Sequence, residues 1–129
     1  MLDDIKVLSA NCRGLKDKKK RYDVLNYLQN TSADIICLQD THLTEADTSE
    51  VTNIWKGNFI LHGVRSNARG VAIFFGDKFE YEILNQDKDN DGNLLIVELQ
   101  KGQTRVKIID IYGPNTDDPD FYALVNRKI

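Results

Sequence analysis

The chain has 129 residues, 41% of them hydrophobic, with a formal net charge of −3 and two cysteines. This length supports one domain with a modest core, and the composition excludes a disordered chain or a strongly basic nucleic-acid coat while leaving local basic patches open. No apolar run approaches membrane-spanning length, and Cys12 and Cys37 sit in apolar contexts that suit reduced thiols. The expectation is a single domain over residues 1–129, intracellular in nucleus or cytoplasm, with no membrane partner.

Ile5, Val7, Leu8 and Ala10 predict a first strand that stops at Arg13-Gly14. From Lys19 the spacing changes, and Tyr22, Val24, Leu25, Tyr27 and Leu28 predict an amphipathic helix ending at Asn30-Thr31-Ser32. The apolar run from Ile35 to Leu38 is a buried strand. Strand, helix and strand then make a βαβ unit with parallel strands, so Asn11 and Asp40 fall at neighbouring carboxyl ends. Lys16 to Arg21 is a basic run with two readings, a phosphate contact and a solvated helix start.

Thr44 to Asn53 suits a short helix and Phe59-Ile60-Leu61 a short strand, and Arg69-Gly70 opens the strand VAIFF. Phe79, Tyr81 and Ile83 alternate with polar residues, a turn-rich stretch follows, and Leu94 to Leu99 resumes as a strand, which together read as antiparallel hairpins. Val106 to Ile111 is a further strand ending at Tyr112-Gly113-Pro114-Asn115. Asp118 followed by Pro119 marks a helix start.

DKDNDGNLLIVE, residues 87 to 98, fits the calcium-loop pattern, with Asp87, Asp89, Asp91, Asn93 and Glu98 as candidate calcium ligands around Gly92. That loop needs a helix on each side, and both flanks here read as strand. A charged hairpin turn is the better reading, with calcium as the alternative.

Three predicted strands end in polar residues: Asn11, then Asp40, then Tyr112 with Asn115. Ligands in open α/β sheets bind beyond the carboxyl ends of strands, so these ends predict one shared site. NCRGL, DIICLQDTH, RGVAIFF and IIDIYGPN, in that order, resemble the N-terminal half of the exonuclease-endonuclease-phosphatase superfamily, and above all the endonuclease of LINE-type (non-LTR) retrotransposons. The resemblance runs from about residue 4 to residue 122.

It implies an α/β fold, a mixed sheet with flanking helices, forming one half of a two-sheet α/β sandwich. It also implies magnesium-dependent hydrolysis of DNA phosphodiesters. In this reading Asp40 and Asn11 are the metal residues, Asn11, Tyr112 and Asn115 the catalytic ones, and Arg13, His42, Arg69 and Asn115 lie against DNA. Magnesium wants hard oxygen ligands, and the hydrolysis needs its charge neutralised.

Two departures bear on activity. Asp40 stands where the family has glutamate, an arm shorter by about 1.5 Å, a scale on which catalytic geometry is unforgiving. The family's Gly-Asp-x-Asn segment and closing Ser-Asp-His, which carry the water-orienting aspartate and the catalytic histidine, have no counterpart in these residues. The chain is therefore expected to be inactive alone. Half a sandwich is also expected to leave an apolar sheet face open, to be covered by a second copy in a homodimer or by a complementing partner. A non-enzymatic module that binds protein or nucleic acid is the alternative function.

Overall fold

The computed structural model describes residues 4–113 and 118–129. Its elements are β1 (Val7–Asn11), α1 (Lys18–Gln29), β2 (Ile35–Gln39), a 3-10 turn (Glu45–Asp47) leading into α2 (Thr48–Thr52), β3 (Phe59–His62), β4 (Val71–Phe75), β5 (Glu82–Lys88), β6 (Leu94–Lys101), β7 (Thr104–Ile111) and α3 (Pro119–Lys128). Asp17 starts α1 by accepting the Lys20 amide at 2.8 Å, and Asp118 starts α3 by accepting that of Phe121 at 3.1 Å.

β1, β2, β4 and β3 form a mixed sheet in that order, with β1 and β2 parallel, while β5, β6 and β7 form an antiparallel sheet. Alternation along the strands sorts the core. Ile36, Leu38, Ala72 and Phe74 point to α1 and α2, where they meet Leu25, Leu28 and Val51 together with Trp55 just beyond α2. The opposite set, Ile35, Cys37, Val71, Ile73 and Phe75, packs on Leu95, Val97 and Leu99 of β6. Phe121 and Val125 of α3 cover Leu94 and Ile96 on the far side of β6. The layers run helix, sheet, sheet, helix, the expected half of a two-sheet sandwich. Each fully buried Ile, Val, Leu or Phe contributes about 1.5–3 kcal/mol, so the contact between the sheets is a main source of stability.

Three expectations change. In α1, Tyr22 and Tyr27 are 54% and 70% exposed, and Arg21 joins Leu25 and Leu28 on the buried stripe. Spacing cannot rank a tyrosine against an arginine whose charge is partnered. Arg21 donates to the carbonyls of Leu15 and Lys16 at 3.1 and 3.2 Å and pairs with Glu50. Two lysines of the basic run also meet carboxylates within the chain, Lys16 on Asp47 at 2.9 Å and Lys19 on Asp23 at 2.9 Å.

The first hairpin strand begins later than Phe79. Phe79 and Tyr81 stack into the core with Phe75, and β5 runs instead through the stretch read as a turn. Finally, the apolar face expected to lie open is closed within the chain, because its seven strands divide between both sheets. What stays uncovered is narrower: β1, with Val7 48% exposed, and the edge of β7, with Ile111 37% exposed.

Candidate active site

β1 and β2 run parallel, so their carboxyl ends lie side by side, and β4, antiparallel to β2, begins at the same end. Three loops meet there through their backbones. Gly14 and Leu15 donate to the carbonyls of Asp40 and Thr41 at 2.7 and 2.8 Å, and Thr41 and His42 donate to those of Gly70 and Arg69 at 3.0 and 2.8 Å. Among the described residues five non-glycine residues have positive φ, and Arg13, Asp40, His42 and Arg69 are four of them. That backbone costs about 1 kcal/mol or more per residue and persists where surrounding contacts over-determine it, often at functional sites.

The side chains follow from this backbone. Asn11 Oδ1 accepts the Arg13 amide at 3.1 Å, which turns the chain after β1. Asp40 and His42, both left-handed, curl the chain so that His42 Nε2 lies 2.8 Å from Asp40 Oδ1. An ionised carboxylate only accepts, so His42 Nε2 carries the proton. The Asp40 side chain is 18% exposed and that of His42 23%. Asp40 thus orients the His42 ring from only two positions away. Arg13 is exposed and Arg69 half-buried beside them. Asn115 lies outside the described residues.

The loop between β5 and β6 supports this site instead of forming a calcium site. Asp89 is buried and accepts from His62 Nε2 at 2.9 Å and from the amides of Asn93 and Leu94 at 3.1 and 3.2 Å. Asp87 lies on β5 and pairs with Lys128 of α3 at 3.0 Å, Asp91 is exposed, and Glu98 lies on β6 opposite Lys107. These carboxylates do not converge, and among the described residues no three His, Cys, Asp or Glu gather to hold a metal. The calcium reading fails because strand pairing spreads its ligands over separate partners. The Gly92 carbonyl accepts from Gly70 and the Asn93 carbonyl from Tyr112, at 3.0 and 2.8 Å, so the same loop positions two strands of the site.

Residues 8–123 match the Endonuclease/Exonuclease/phosphatase family. The chain belongs to that family. It is 23% identical over 112 residues to a transposon TX1 149 kDa protein of Xenopus laevis, covering 87% of this chain and 9% of that protein. It is 26% identical over 119 residues to an exodeoxyribonuclease of Bacillus subtilis (strain 168), covering 87% of this chain and 44% of that one. The fold matches the endonuclease domain of TRAS1, a telomere-specific non-LTR retrotransposon, with TM-score 0.65 and 12% identity, covering 96% of this chain and 52% of that one. It also matches the 3′ phosphatase NExo from Neisseria bound to product DNA hairpin, with TM-score 0.65 and 18% identity, covering 95% of this chain and 48% of that one. The chain spans about half or less of the length of these relatives.

Within this endonuclease/exonuclease/phosphatase domain, sequence reasoning missed Asp110. On β7 it faces the mixed sheet, 1% exposed, where Gln39 Nε2 donates to its Oδ1 at 2.7 Å while its Oδ2 has no hydrogen-bond partner among the described residues. Burial pushes its carboxyl up to about 7 against the lowering effect of Gln39. The signal was a lone aspartate at an inward position of KIIDI. Gln39 also donates to Ser9 Oγ at 3.0 Å, so β1, β2 and β7 are joined close behind Asn11, Asp40 and Tyr112. No helix among the described residues is long and apolar enough to cross a membrane.

Proposed function

We propose that this chain is the first half of a magnesium-dependent, DNA-nicking endonuclease domain of the retrotransposon kind, carrying metal and DNA contacts but no hydrolysis by itself. The observation that carries this is the meeting of the Asn11, Asp40 and Tyr112 strand ends at one edge of the sandwich, held by backbone bonds between left-handed loops. A transposon protein among the relatives and a DNA-bound structural neighbour support the same reading.

The donor set fits magnesium as a partial site. Magnesium takes hard oxygens, keeps several waters and is held by one or two carboxylates with substrate phosphates. Asp40 Oδ2 makes no hydrogen bond to the described residues, and the amide oxygen of Asn11 stands on the adjacent strand. Asp40 and Asn11 would hold the ion, which when bound neutralises charge on the phosphate. Arg13 and Arg69 hold the DNA backbone on either side, and Tyr112 with Asn115 orients the scissile phosphate. The water-orienting aspartate and the catalytic histidine come from the second half of the domain. It meets this half along β1 and β7, where Val7 and Ile111 are exposed.

The test is conversion of supercoiled plasmid to nicked circle with magnesium, beside Asp40→Ala, with light scattering on the same sample. The chain alone is expected to leave the plasmid intact and to retard DNA weakly, less so after Arg13→Ala. Nicking that Asp40→Ala abolishes would overturn the inactivity and point to a site completed in a dimer. An unretarded plasmid would overturn the DNA reading.

A further inference from the structure

We infer that His42 is a positioning residue for the metal, locking the Asp40 carboxylate by donating to Oδ1 and leaving Oδ2 to the ion. The inference rests on the reading that Asp40 holds magnesium, and it identifies what compensates for the short arm of an aspartate at that place.

Four observations support it. His42 Nε2 stands 2.8 Å from Asp40 Oδ1, and the donor has one orientation, because the carboxylate can only accept. The contact depends on left-handed backbone at both residues, φ 55 and 59, which an extended chain would not bring together. The backbone at both ends is tied to neighbouring loops, Asp40 O to Gly14 N at 2.7 Å and His42 N to Arg69 O at 2.8 Å. The ring also has a seat made for it: a Cβ at Gly14 would come within 2.7 Å of His42 Nδ1, and Gly14 itself has φ +88.

Carboxylates that bind metals are usually held by a hydrogen bond from behind, and loss of that bond lowers metal affinity about 10–100-fold. Aspartate has one torsion fewer than glutamate, so a single donor is enough to hold its plane. With the donor on Oδ1, Asp40 offers one oxygen to a small octahedral ion that keeps several of its waters.

The test uses Mn²⁺ as a spectroscopic probe, following loss of the free-ion electron paramagnetic resonance signal and its return when Mg²⁺ is added. Glutamine places its amide nitrogen as many bonds from the backbone as histidine places Nε2, whereas asparagine falls short. His42→Gln is expected to bind within about threefold of the parent, and His42→Asn and His42→Ala to lose about 10–100-fold. Asparagine tolerates left-handed backbone best of the three, so a folded His42→Asn that has lost the ion separates positioning from folding. Thermal melting identifies the folded variants.

Parent-like affinity in His42→Ala, or equal affinity in His42→Asn and His42→Gln, would overturn the inference. If Asp40→Ala binds Mn²⁺ as the parent does, or the parent leaves the free-ion signal unchanged, the underlying reading of Asp40 fails. Loss in Asp40→Ala with none in His42→Ala removes the role of His42 alone.

Discussion

His62 Nε2 lies 2.9 Å from the Asp89 carboxylate, with both side chains buried, and this contact fastens β3 to the loop that leads into β6. Because that loop holds Gly70 and Tyr112 through the carbonyls of Gly92 and Asn93, the pair acts on the site from a distance. Asp89→Ala leaves His62 and two backbone amides without their acceptor, and is expected to cost on the order of 3 kcal/mol. Urea unfolding at pH 7 measures this. A loss below about 0.5 kcal/mol would count against the buttress.

The same carboxylate makes the fold sensitive to acid. Burial raises the Asp89 pKa, but the hydrogen bonds from His62, Leu94 and Asn93 outweigh it and hold the group below its ordinary value. A folded pKa below the unfolded one gives stability that is full above the unfolded value, near 3.8, and is lost as pH falls through the folded value. Urea midpoints below pH 4 should fall more steeply in the parent than in Asp89→Asn.

Asp110 has the opposite sign. Its folded pKa of about 7 lies above the ordinary 3.8, so its contribution is full below the unfolded value and is lost as pH rises through the folded one. Asp110→Asn removes the cost of burying a charge and keeps an acceptor for Gln39. The variant should match the parent near pH 4 and exceed it by a few kcal/mol at pH 8, on the order of what such a shift is worth. Equal stability of the two at pH 8 would mean that the carboxyl is hydrated.

Gly70 has φ +95, and a Cβ there would come within 2.7 Å of Thr41 Oγ1 and 3.2 Å of the His42 amide nitrogen. Gly70→Ala therefore combines backbone strain with overpacking in a buried turn, about 2–3 kcal/mol. The midpoint of thermal unfolding should drop. Mn²⁺ affinity should weaken as well, since the clash falls on the segment that carries Asp40 and His42.

Cys12 and Cys37 are buried and unpaired, and burial is the largest cause pushing each thiol up to about 12. Neither should react with a disulfide reagent at pH 8 in the folded protein, and both should react in urea. Rapid labelling of the native chain would show that the core opens locally.

The regular elements were legible because they bury one face or both. Ile35 to Leu38 and Val71 to Phe75 read as strands since water is excluded from both sides. β5 was misplaced for the converse reason: nearly every one of its residues is exposed, so no apolar alternation marks it. The strand flanks of the calcium pattern were legible and favoured the hairpin turn, but the partners of its carboxylates were not. His62 is 27 positions from Asp89, and Lys128 is 41 from Asp87. Asp40 and His42, only two apart, were missed as a pair for a local reason, since extended or helical backbone would not bring them together.

The amino-acid sequence by itself determined the family, the order of the strands and the polar residues at their ends. These follow from local pattern: burial sets the period of apolar residues, and short motifs travel with the turns that need them. Only the tertiary structure decided that Asp40 is held by His42, that Asp89 is a structural acceptor and that burial pushes the Asp110 carboxyl up to about 7. Each depends on which distant group lies within about 3 Å and on how far water is excluded. Neither quantity is written in the local order of residues.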